Sequence, residues 1–208
     1  LYTQLLEWSA RWMEEALSTA NVTPYETTGA DIAWWLRDRA LELGLTGYGT
    51  VRIVREGEHL PIHDPNIALE PGDIVGIDGG LRYLGYAVDI KRAAYVLPPG
   101  ETVMPESIAS AWGDLLEMSE VYAERMQIGN VGHEIHASIN EEAQSRGYHV
   151  VGPDSGGAAA TDNQAEMGVY GHSVGNVAHD IGARVAADLP FAYGDRVRFP
   201  LADNEWVS

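Results

Sequence analysis

The sequence predicts one α+β domain spanning residues 1–208, an antiparallel sheet flanked by helices. Three observations predict it. Apolar residues recur at helical spacing near the start of the chain and again near its middle. Between those regions lie alternating Val- and Ile-rich runs bounded by Gly and Pro, the pattern of strands joined by tight turns. The chain carries no internal repeat, low-complexity tract or linker that would divide it.

The elements follow in order. Leu5, Trp8, Trp12 and Ala16 share one helical face, which predicts an amphipathic helix from about Leu5 to Thr19. After a break at Asn21–Gly29, Thr28-Gly29-Ala30-Asp31 opens a second helix, roughly Asp31 to Leu43, which Gly44 ends. Tyr48 to Arg55 alternates and reads as a strand. A loop carrying His59, Pro61, His63 and Pro65 follows. Pro71-Gly72-Asp73 is a turn, Ile74 to Asp78 a strand, and Tyr86 to Leu97 its partner, with Gly79, Gly80 and Gly85 loosening the reversal. Two helices are expected at about Pro105–Gln127 and Val131–Arg146, separated by Gly129-Asn130. From Tyr148 onward short strands alternate with glycine-rich turns.

Composition narrows the function. A hydrophobic content of 45% over 208 residues suffices for a packed core. The formal net charge of −18 weighs against a nucleic-acid partner, because phosphates attract Lys and Arg. Apolar runs long enough to span a membrane and signal-peptide patterns are both lacking. The absence of cysteine removes disulfides, thiolate metal sites and cysteine nucleophiles, and fits a cytoplasmic protein.

Asp78 and Asp89 sit on the two arms of the expected hairpin. With the turn centred near Tyr83 and Leu84, they fall roughly opposite each other on one face. Opposed like charges destabilise a sheet unless a cation lies between them. Oxygen ligands suit Mn, Mg or Ca, and with imidazole added also Zn, Co or Fe. Two solvated aspartates near a turn are the plain alternative.

The segment Leu69-Glu70-Pro71-Gly72-Asp73-Ile74-Val75-Gly76-Ile77-Asp78 resembles the L-x-P-G-D-φ-φ-x-φ-D lead-in of one family, which includes prolidase, Xaa-Pro and methionine aminopeptidases, and creatinase. Gly85-Tyr86-Ala87-Val88-Asp89-Ile90-Lys91-Arg92 resembles its G-Y-x-x-D-I-T-R strand, and the ten intervening residues match its aspartate separation. Gly171-His172-Ser173-Val174-Gly175 with His179-Asp180 resembles its G-H-x-φ-G … H-E, with Asp180 where the family usually has Glu. The resemblance implies the pita-bread fold, a curved antiparallel sheet flanked by helices. It implies that Asp78, Asp89 and His172 ligate two divalent metal ions, the second aspartate bridging them. Manganese is the first expectation, with cobalt or zinc as alternatives. His179 takes the role of contacting the substrate and steadying the tetrahedral intermediate. His63 best matches the substrate-binding histidine of the loop before the first metal strand, with an ordinary loop histidine as the alternative.

The implied activity is metal-assisted hydrolysis of short peptides. The form G-Y-x-x-D-I-T-R, and Ile62-His63-Asp64 where methionine aminopeptidases usually show Cys-His-Gly, favour the Xaa-Pro branch. A homodimer is compatible with this reading. The family's site also needs two glutamates on late strands. Trp206-Val207-Ser208 looks like the lead-in to one of them, and Glu205 follows a turn-like Ala202-Asp203-Asn204. The expectation is therefore a chain that lacks the last metal-binding strands.

Four rival readings are weighed against this one. G-H-S-V-G also spells the nucleophile elbow G-x-S-x-G, but no acid followed by histidine comes after Ser173 in triad order. His133-Glu134-Ile135-His136 is one residue short of the H-E-x-x-H spacing and reads as ordinary helix surface. A pita-bread module that binds peptide or protein without hydrolysis is the main alternative, and a metal-free creatinase-like hydrolase is disfavoured by the two aspartates.

Overall fold

The computed structural model describes residues 1–55, 64, 66–151, 166–168, 170–188, 194–203 and 206–207. The chain forms two compact units, one of residues 1–105 with 175–178, the other of residues 106–174 with 179–208.

In the first unit, helices α1 (Tyr2–Ala16) and α2 (Gly29–Glu42) precede strands β1 (Thr46–Val54), β2 (Ile74–Tyr83), β3 (Tyr86–Ala87) and β4 (Ile90–Tyr95). α2 begins where Thr28 and Asp31 close a reciprocal capping box, each side chain accepting the other's backbone N–H. Strand β2 is central, antiparallel to β1 on one side and to β3 and β4 on the other. Its odd positions Val75 and Ile77 pack with Met13, Ala16, Ile32, Leu69 and Val96 into a core. The buried hydroxyl of Ser9 on α1 accepts the Leu81 N–H at 3.0 Å, which fixes the helix to the sheet. The even positions of β2, Asp78 among them, lie on the other face.

The turn Pro71-Gly72-Asp73 precedes β2. Asp73 is fully buried, and Arg55 clamps it with two bonds, Nε to Oδ1 at 2.7 Å and Nη2 to Oδ2 at 2.9 Å. The guanidinium also reaches Glu70 and the Ala68 carbonyl, so most of its donors are used. In this lead-in segment, Asp73 therefore anchors the turn.

The hairpin differs from expectation. β2 runs five residues past Asp78, through both Gly79 and Gly80, and turns at Leu84 and Gly85, with φ of 48° and 85°. Two consecutive positive φ values are the signature of a type I′ hairpin turn, whose second position favours glycine. Gly80 answers to a different need, because a Cβ there would meet the Val88 carbonyl oxygen at 2.6 Å. The expected second strand is broken into β3 and β4 at Val88 and Asp89, although the Val88 N–H still donates to Leu81 at 2.9 Å.

The second unit contains α3 (Glu106–Arg125), α4 (Gly132–Ser145), β5 (His149–Val150), β6 (Glu166–Met167), β7 (Gly171–Val174), β8 (Arg184–Val185), a 3₁₀ turn (Gly194–Arg198) and β9 (Trp206–Val207). β7 lies between β8 and β9, antiparallel to both, while β5 and β6 form a parallel pair. Met118, Val121, Ile135, Ile139, Ala143, Ala183, Val185 and Leu201 form its core. Among the described residues no helix is long and apolar enough to cross a membrane.

Candidate functional site

Moving the turn to Leu84-Gly85 shifts the register by two residues from the expected one. Asp78 pairs with Lys91 across the ladder, and Gly79 with Ile90. Continuing that register sets Asp89 beside Gly80, so Asp78 and Asp89 are diagonal neighbours on one face and not directly opposed. Both carboxylates line a cavity of about 510 Å³ in the first unit, together with Thr50, which pairs with Asp78 from β1. Asp89 is buried, whereas the Asp78 side chain is 32% exposed and takes an ion pair from Lys91, Nζ to Oδ1 at 3.3 Å.

Beside Asp89, the Tyr2 hydroxyl donates to the Ala87 carbonyl at 3.3 Å. Burial, and then the Asp89 charge, push the Tyr2 hydroxyl up to about 12. The Ala87 N–H donates to Gly175 at 2.6 Å, and Ala178 of the same short segment lines the cavity.

In the second unit His172 sits on β7, opposite Arg184 on β8. Its ring stacks on His179 with centroids 3.9 Å apart and planes at 28°. The segment carrying His179 is held by the Asp180 N–H, which donates to Ser173 at 2.8 Å, and by Arg196, whose Nη1 donates to the Asp180 carbonyl at 2.6 Å. Asp180 also accepts the Ile181 N–H at 2.8 Å, a short-range bond for the residue that stands where the family usually has Glu.

The rival motifs dissolve in this geometry. Ser173 is buried in mid-strand and its hydroxyl donates to the Ala183 carbonyl at 3.0 Å, so it is not on the exposed strand-to-helix turn that an elbow requires. His133 lies on α4 against the Val197 carbonyl at 3.0 Å. His136 is not helix surface as expected; it is buried beside Asn140 and Tyr170, and burial lowers its pKa. His59, His63 and Glu205 lie outside the described residues.

Sequence reasoning missed Thr50, which lines the cavity, and Lys91, which pairs with Asp78. Thr50 carries no signal, because only strand pairing brings it beside Asp78. Lys91 carries one: it stands where the second-strand motif has threonine. Carboxylate oxygens such as those of Asp78 and Asp89 suit manganese, and imidazole nitrogens such as that of His172 suit cobalt and zinc as well.

The sequence model of metallopeptidase family M24 matches residues 3–199. The chain belongs to this divalent-metal-dependent peptidase family and has its pita-bread fold. Solved structures similar to it include an X-Pro aminopeptidase from Thermotoga maritima, 17% identical, with a TM-score of 0.68 over 99% of this chain and 52% of that one. A prolidase from Pyrococcus horikoshii is 18% identical, with a TM-score of 0.66 over 99% of this chain and 52% of its own. A methionine aminopeptidase from Rickettsia prowazekii is 17% identical, with a TM-score of 0.62 over 96% and 72%. At these identities the likeness establishes the fold. The chain spans about half the length of the first two. No curated protein matches it.

Proposed function

We propose that residues 1–208 belong to a single catalytic domain that hydrolyses the N-terminal peptide bond of Xaa-Pro peptides, with Asp78, Asp89 and His172 among the ligands of two divalent cations. The family match across both units supports one domain. The observation that carries the reading is the shared cavity of Asp78 and Asp89, two carboxylates from one hairpin on the face away from the core. The motif form around Asp89 supports the Xaa-Pro branch. Manganese is the first choice of cation, cobalt or zinc the next, and the cytoplasm the working location, with a homodimer compatible.

When bound, such a pair of cations lowers the pKa of a water and polarises the scissile carbonyl. Asp78, Asp89 and His172 supply ligands, and Asp89 has the buried setting that favours precise placement. His179 donates to the oxyanion as the carbonyl carbon becomes tetrahedral. His63 orients the substrate.

Metal content and hydrolysis of an Xaa-Pro dipeptide and tripeptide with added manganese test this reading. It expects about two ions per chain, and loss of cleavage in Asp89→Ala. Absence of bound metal and of turnover in a folded protein would leave a binding module without hydrolytic activity.

A further inference from the structure

Lys91 is the chain's only lysine, and strand pairing sets it directly across from Asp78. Opposed residues in an antiparallel pair share a face, and here the ammonium lies 3.3 Å from Asp78 Oδ1. The next residue, Arg92, points to the helix face and pairs with Glu14 on α1 at 3.0 Å. Lys91, by contrast, is directed at the cavity-lining carboxylate of Asp78. Its position belongs to the backbone register, so the positive charge stays nearby even when the contact opens.

We infer that Lys91 is an internal counter-cation of Asp78, which a divalent ion must displace, so that the ion held by Asp78 loads more weakly than the other. The inference rests on the metal-site reading proposed above. Two cations compete for one carboxylate: the ammonium neutralises it before the metal arrives and repels the metal afterwards. Both partners are partly exposed, at 62% and 32% of the side chain, so water and salt weaken the effect without removing it. A threonine at this position would remove the charge and restore the family's residue type.

Calorimetric titration with Mn²⁺, backed by metal counting after dialysis, tests this on the purified protein and on Lys91→Thr, Lys91→Met and Lys91→Arg. Thr and Met are expected to tighten the weaker of two binding events on the order of two- to fivefold, the size of an exposed ion pair. Arg keeps the charge and should keep the weak event. The gap between the parent protein and Thr should narrow in high salt. Two events of unchanged affinity in both neutral variants overturn the role of Lys91 and leave the metal centre intact. Failure of every protein, the parent included, to bind Mn²⁺ overturns both the inference and the metal-site reading.

Discussion

Burying a carboxylate is costly unless hydrogen bonds or charges satisfy it, so a buried aspartate implies a specific environment. Asp89 is only 8% exposed, and its charge reaches Tyr2, whose hydroxyl it helps keep protonated. Asp78, half-open and paired with Lys91, is the more adaptable of the two. The stacked pair His172 and His179 raises a question about roles that mutation separates. His172→Ala should lose metal and, with it, activity. His179→Ala should keep its metal and lose about 10²–10³-fold in kcat, the scale measured for a single oxyanion donor. Equal metal loss in both variants would make His179 a ligand and remove it from the substrate role.

At the scale of elements, the hairpin from β2 to β4 sets the site. Its two-residue turn decides which residue faces Asp78, and the break at Val88-Asp89 takes Asp89 out of the ladder. Gly80 is the residue that permits this close approach, since any side chain there runs into Val88. Gly80→Ala should therefore cost about 1–3 kcal/mol, the usual range for overpacking. It should also weaken metal binding, because relief of the clash moves the backbone beside Asp89. Urea unfolding and Mn²⁺ titration of the same variant check the two effects, and a stable variant with normal affinity would refute this role for Gly80. The Arg55–Asp73 clamp serves the same hairpin from its base, where a fully buried carboxylate holds the turn that launches β2.

For the molecule as a whole, each unit has one tyrosine whose hydroxyl is pushed up to about 12, Tyr2 in the first and Tyr122 in the second, in both cases chiefly by burial. The folded state then keeps protons that the unfolded chain has lost. Stability should be level with respect to these groups below pH 10, where both states are protonated, and should fall as pH rises from 10 towards about 12. Denaturant titrations across that window check this, with Tyr122→Phe expected to flatten part of the slope. A slope unchanged in Tyr122→Phe would exclude a contribution from that hydroxyl.

Much of this protein was legible in its sequence. The four long helices and the strand from Thr46 to Val54 follow from local period and punctuation. Such features depend on a residue and its near neighbours, and a linear pattern carries them. The sequence also determined the family, because its motifs combine residue type with spacing. Tertiary structure alone decided that Lys91, not Asp89, stands opposite Asp78, that Thr50 joins them and that His136 is buried. These facts depend on strand register and on which helical face meets a core. A shift of the turn by one residue moves a strand's partners by two, and that choice is made by backbone dihedrals and packing across distant segments.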